Sequence, residues 1–274
     1  MKNLITTILL FVPFSIQAQW SDSSGESEGY LGASLLDFTY KEFDDGGALL
    51  DREDGLIPGF MLGYKQQRND VFTELSFSYH GTDIKYDGQT QSGTPITTRS
   101  DADIYELQLK VGSRYRAANN YKYHVYGGIG YHFWQRNIRS TATALGIYEE
   151  YDWSYLMLGA KFPLMQTVDS TLDFDIQYTR MISANIFVQL SPLGADDVNL
   201  ALGKENSYRF SLPWRVKTQK SSIWVIEPYY EFWEIGKSEI KPITAGGTPT
   251  GFIVWEPRSE TNNVGINLKI VTPF

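Results

Sequence analysis

The sequence of 274 residues contains no cysteine. That excludes a disulfide framework, thiolate chemistry and an amino-terminal lipid carried on cysteine. Histidine is nearly as scarce: His80, His124 and His132 are the whole supply, too few and too scattered for a zinc site. Past residue 18 no apolar run approaches the roughly 20 residues that a spanning helix needs. Positive charge is also short, with 24 Lys and Arg against 32 Asp and Glu and a net charge of -8. No basic stripe is left to neutralise nucleic-acid phosphates. A mature chain with these deficits crosses a membrane, if it crosses one, with strands.

What the sequence does hold begins with Met1-Lys2-Asn3, an apolar run over residues 4–14, and Ser15-Ile16-Gln17-Ala18. This is the charged, apolar and small-residue order of a secretory signal. The expected division is a cleaved signal peptide over 1–18, a flexible polar tail over 19–28 and one domain over 29–274. Aromatics make up 15% of the residues, with 18 Tyr and 7 Trp, a composition suited to membrane interfaces.

Apolar and polar residues alternate through most of the chain, and helical periodicity is hard to find. Val71, Leu75, Phe77 and Tyr79 share one face of a strand, with Glu74, Ser76, Ser78 and His80 on the other. Tyr105, Leu107, Leu109 and Val111 likewise oppose Glu106, Gln108, Lys110 and Arg114. Leu172, Phe174, Ile176 and Tyr178 oppose Asp173, Asp175 and Gln177. Tyr208, Phe210, Leu212 and Trp214 oppose Arg209, Arg215 and Lys217, and Trp224, Ile226, Tyr230 and Phe232 oppose Glu227 and Glu231. Asp37 and Lys161 leave the facing of their strands open. Short connectors at 67–70, 117–120, 165–169 and 218–221 alternate with expected long loops at 41–54, 84–100, 137–150, 185–204 and 237–258. A soluble sandwich alternates too, but a dry core does not tolerate charges well inside its strands without partners. The fold class is therefore all-β, a transmembrane antiparallel up-and-down barrel of about ten strands, within a range of roughly 8–12.

The last strand places Val264, Ile266, Leu268, Ile270 and Phe274 on one face and Asn263, Gly265, Asn267 and Lys269 on the other. This ending resembles the carboxyl-terminal signature of Gram-negative outer-membrane β-barrel proteins. The resemblance implies a place in the cell outer membrane, lipid as the surrounding partner, and recognition of Phe274 by periplasmic chaperones and the barrel-assembly machinery. It implies no cofactor and no activity.

Size and strand count also resemble those of the ten-stranded omptin proteases, which implies an acidic pair and a His-Asp pair at the extracellular rim. The candidates are His80 with Asp83, Asp101 and Asp103, but the parity of Asp101 and Asp103 is that of the lipid face, and the second His-Asp pair is missing. The acids Asp44, Asp45, Asp51, Glu53 and Asp54 offer oxygen ligands to a divalent cation and read as solvated loop charges instead. No catalytic, cofactor-binding or metal residue is assigned. The sites expected to matter are lumen charges of opposite sign at similar heights. These are Glu74 with Lys110 or Arg114, Asp173 and Asp175 with Arg215 and Lys217, Arg209 with Glu231, and Glu227 between Arg215 and Lys269. Three roles fit such a barrel: structural or narrow solute-passage, surface ligand binding or adhesion through the loops, and rim-site hydrolysis. The first is preferred, with no enzymatic activity expected.

Overall fold

A computed structural model describes residues 25–90, 93–116, 122–218 and 222–274. The signal segment and most of the polar tail lie outside the described residues, as do the expected short connector 117–120 and all of 218–221 but its first residue. Seven long strands come first: β1 (Glu26–Phe43), β2 (Leu49–Arg68), β3 (Val71–Gln89), β4 (Pro95–Arg116), β5 (Lys122–Ile138), β6 (Ile147–Gln166) and β7 (Ser170–Gln189). Three short pieces follow, β8 (Val198–Ala201), β9 (Asn206–Ser211) and β10 (Trp214–Lys217), then β11 (Ile223–Ile235). A small hairpin of β12 (Lys241–Ala245) and β13 (Thr248–Val254) precedes the closing β14 (Arg258–Pro273).

Each long strand pairs antiparallel with its neighbours, and β14 pairs with both β11 and β1, so the sheet closes as a ten-stranded barrel. Closure removes the free edges that an open sheet would expose to lipid. The pieces β8, β9 and β10 together make one stave between β7 and β11. It is interrupted over 202–205, where Gly203 keeps a single bridge to Gly236, and at Pro213, which has no N–H to donate. The Pro213 carbonyl still accepts Asp173 N–H at 3.1 Å, and Leu212 N–H donates to the Pro228 carbonyl at 3.0 Å, so the wall stays bonded across the break.

Facing follows the alternation. Asp37 points outward and Lys161 inward, which resolves the two strands that parity left open. On the outer wall of β4, apolar side chains run from Tyr115, stacked on Tyr123, up to Tyr105, which meets Tyr79 and Phe133. Ten residues at about 3.3 Å each and a tilt near 40° span roughly 25 Å, the height of an outer-membrane apolar band. Above Tyr105 the outward positions become Asp103, Asp101 and Arg99. The barrel stands in lipid below that line and in water above it.

The expected long loops at 41–54 and 84–100 prove to be mostly strand, and the others are shortened by strand extension at their ends. β1 runs on to Phe43 and β2 begins at Leu49, and β3 to Gln89 faces β4 from Pro95. Extension keeps the backbone bonded and buries a second set of inward side chains. The connections from β5 to β6 and from β7 to β8 and the segment around β12–β13 remain substantial excursions.

Candidate functional site: the lumen and its closure

Within the membrane the lumen is polar. Tyr126 and Tyr229 lie along the wall over Gly159 and Gly265, where an added Cβ would sit 2.2–2.3 Å from a ring carbon. Their hydroxyls and rings line a cavity of about 140 Å³ whose charged residues balance, Lys65, Lys110, Lys161, Arg209 and Lys269 against Glu74, Glu106, Asp175, Glu227 and Glu231. With no net charge on its wall, the cavity favours neither anions nor cations.

Glu227 is the hub. Its two oxygens accept from Lys269 Nζ at 2.6 Å and from Arg209 Nη2 at 3.3 Å, and Arg209 also reaches Glu231 at 3.6 Å and covers the Tyr229 ring at 3.7 Å. Glu74 stands in register with Lys110 and Lys65 and accepts from Tyr30 at 3.1 Å. Asp175 takes Lys161 at 3.5 Å and the Tyr126 hydroxyl at 2.8 Å.

Three expected partnerships differ. Arg215 pairs with Glu28 at 2.8 Å rather than with Asp173, Asp175 or Glu227, because it sits opposite Thr171, below the level of Asp175. Lys217 is exposed at the periplasmic edge and enters no lumen pair among the described residues. Arg114 folds onto the β2–β3 turn, at 3.5 Å from Asp70 and 3.2 Å from the Asn69 carbonyl, instead of meeting Glu74.

A serine, a histidine and an asparagine also meet in the lumen. Ser34 Oγ donates to Asn267 Oδ1 at 2.7 Å, and His80 Nε2 lies 2.8 Å from the same Oγ. With the hydroxyl proton committed to Asn267, His80 donates to Ser34 and does not act as its base. The order is also wrong for a hydrolytic triad, in which the third group orients the histidine and not the serine. His132 lies flat on Trp153 at 3.9 Å. Asp83, Asp101 and Asp103 stand on the outer wall, occupied by Arg99, Arg139 and Tyr79, with the sheet between them and His80. Among the described residues no group of three acidic or histidine side chains is arranged to hold a metal ion.

Above the polar cavity the barrel fills with apolar side chains. Phe38, Ile57, Trp134, Tyr151 and Ile186 are fully buried. Trp134 anchors them, edge-on to Phe38 at 5.6 Å and Tyr40 at 5.0 Å and stacked on Tyr151 at 4.9 Å. Each such side chain contributes about 1.5–3 kcal/mol by burial alone.

Directly over this layer, and above the apolar band, sits Arg136. It donates through Nε to Glu53 at 2.6 Å, through Nη2 to Asp51 at 2.8 Å, and through Nη1 to Glu42 at 2.7 Å and Glu149 at 2.9 Å. A fifth carboxylate, Glu256, accepts from the Tyr151 hydroxyl at 2.6 Å and is bonded to no cation among the described residues. Burial, with Glu42 and Glu53 adding repulsion, pushes the Glu149 carboxyl up to about 7 against the pull of Arg136. Asp51 and Glu53, expected as solvated loop acids, are thus buried ligands of a guanidinium, and Arg136 was absent from the expected network. Its signal is the continuing parity of His132, Trp134 and Arg136 beyond the point where the apolar outer face ends.

The segment 238–256 stands at the mouth as a separate hairpin. Ile243 and Val254 pack down onto the buried core, and Asp196 holds the hairpin through Thr244 Oγ1 at 2.7 Å and the Gly246 and Gly247 N–H groups at 3.0 and 2.8 Å.

The sequence matches the family model described as outer membrane protein beta-barrel domain over residues 6–215. No curated protein matches it. Among solved structures, it is similar to the outer membrane protease OmpT from Escherichia coli, with a TM-score of 0.59 and 12% identity over 93% of this chain and 99% of that one. The translocator domain of autotransporter NalP from Neisseria meningitidis gives 0.46 at 9% identity, covering 93% and 90%. OprG from Pseudomonas aeruginosa gives 0.40 at 10%, covering 92% and 96%. At such identities the likeness concerns fold, and of these three the OmpT comparison alone is strong enough to carry it. With the family model covering most of its length and the barrel closed through β14 and β1, the chain belongs to the outer-membrane β-barrel proteins.

Proposed function

We propose that this protein is a resting-state barrier, a structural outer-membrane barrel that passes no solute steadily and presents an extracellular extension of its strands for surface contacts. The observation that carries the reading is the fully buried layer around Trp134, sealed from above by Arg136 and its carboxylates. Wide aqueous channels belong to barrels of about 16 or more strands, and a lumen of this size can be filled by side chains. The polar cavity below the layer is a dead end reached from the periplasmic side, where a second cavity of about 190 Å³ is lined by Lys65, His124, Lys161 and Arg215. Export through the amino-terminal signal and delivery by the assembly machinery through Phe274 belong to the same reading.

The surface role is favoured over hydrolysis by the separation of His80 from the outer-wall acids and by the direction of the Ser34 hydrogen bond. Planar-bilayer recording of purified protein tests the barrier. The expected trace is flat, and a steady open channel would assign the protein to solute passage.

A further inference from the structure

Residues 239–255 leave the barrel at Ser238 and re-enter at Glu256. The leaving side is tied to β8, with Glu239 N–H donating to the Ala201 carbonyl at 3.1 Å and Lys241 Nζ to the Asn199 carbonyl at 2.7 Å, so the re-entering side is the one that turns on Glu256. Ser238 N–H donates to the Glu256 carbonyl at 3.0 Å, and Glu256 N–H donates to Ser238 Oγ at 2.7 Å. Glu256 is thus both the hinge of the β12–β13 segment and a member of the buried carboxylate cluster.

The charges of the cluster that Glu256 joins do not balance. β1 supplies Tyr40 and Glu42, β2 supplies Asp51 and Glu53, β3 supplies Tyr86, β5 supplies Arg136, and β6 supplies Glu149 and Tyr151. One guanidinium serves four carboxylates and leaves Glu256 to the hydroxyls of Tyr151 at 2.6 Å and Tyr40 at 3.4 Å. Asp51 Oδ1 and Glu53 Oε2, both buried, have no hydrogen-bond partner among the described residues. Full ionisation would leave four uncompensated negative charges in a site closed to water, a state avoided by neutralising carboxyls with protons.

We propose that the β12–β13 segment is a proton-latched lid, closed over the mouth while Glu256 is a carboxylic acid and released when that proton passes to solvent and the carboxylate is repelled by Glu42 and Glu149. Burial and the neighbouring Glu42 and Glu149 raise the Glu256 carboxyl well above the usual range. The closed state therefore binds the extra proton, is favoured at low pH and is lost as pH rises through the raised value. Asp196, at the hairpin tip, is held below the usual range by the Thr244 hydroxyl and the Gly247 N–H, so it stays ionised and does not set the response. The lid rests on the closed-barrel reading, but its release leaves the Trp134 layer in place.

The absence of native cysteine makes the test clean. Val254→Cys reports the packed face and Phe252→Cys, at a position 70% exposed, is the reference for the pH dependence of thiol chemistry. With a membrane-impermeant maleimide on reconstituted protein, the ratio of the two labelling rates should rise by about tenfold per pH unit between the ordinary carboxyl range and the raised latch value, the slope of one released proton, and level off above it. Glu256→Gln should abolish that rise. Hydrogen exchange of residues 238–257 in wild type, corrected for intrinsic base catalysis, follows the same opening without any substitution. A ratio independent of pH, a slope that survives Glu256→Gln, or closure set by added calcium at fixed pH would overturn the latch. Bilayer current should stay absent whether the lid is open or closed, so a steady current would count against the barrier reading and not against the latch.

Discussion

Arg136 Nε lies 2.6 Å from Glu53 Oε1, and the two side chains, from β5 and β2, are almost completely hidden from solvent. Removing the cation leaves a cluster of carboxylates without it, while removing one carboxylate leaves three. Arg136→Leu should therefore cost about 3–5 kcal/mol, the range for breaking a buried pair from one side. Heat-modifiable gel migration and denaturant midpoints of purified protein measure it. A variant as stable as wild type would mean that the cluster is already neutral without the guanidinium.

The pH dependence of the rim follows from Glu149. Its carboxyl is raised from 4.5 to about 7 by burial and by Glu42, so the folded state holds a proton that the unfolded chain releases earlier. That contribution is present in acid and declines as pH rises from about 4.5 to about 7, after which it is constant. Wild type should lose stability relative to Glu149→Gln across that window, and parallel curves would refute the assignment.

Glu227 holds Lys269 at 2.6 Å and Arg209 at 3.3 Å. Glu227→Ala strands Lys269 in the lumen and leaves Arg209 to Glu231 alone, and a loss of about 3–5 kcal/mol is expected. Glu227→Gln should lose less, since it retains an acceptor. Thermal midpoints of the two variants compare them directly, and equal midpoints for all three proteins would show that water compensates the lysine and arginine.

How much of this was readable beforehand depends on the level in the barrel. Inside the membrane, strict alternation of residue types carried the facing of Glu74, Lys110, Arg209, Glu227 and Lys269, because lipid forces one face to be apolar. Above Tyr105 water bathes the outer wall, both faces become polar, and the alternation fades. Arg52 and Asp54 outside look like Asp51 and Glu53 inside. That is why the strand extensions read as loops and the Arg136 cluster went unseen. The choice of partner was illegible for another reason: strand tilt and the β2–β3 turn decide that Arg114 meets Asp70 and Arg215 meets Glu28.

Phe274 packs on the outside of the finished wall, tilted against Tyr64 at 6.0 Å, with its N–H donated to the Ser27 carbonyl at 2.9 Å. It is 74% exposed and fills no core. Deleting it should lower the yield of membrane-inserted barrel while leaving the melting of the inserted fraction close to wild type. Unchanged yield would remove the assembly role, and a collapse in melting would make Phe274 a stability residue instead.

Single-channel recording in a planar bilayer bears most directly on the closed lumen. Wild type should show no steady conductance under either polarity if the fully buried Phe38, Ile57, Trp134 and Tyr151 fill the section above the cavity as proposed. Trp134→Ala, which removes the central ring of that layer, should introduce brief openings. A large and steady nanosiemens-scale current from the unmodified protein would contradict the closed lumen and make the barrel an open pore.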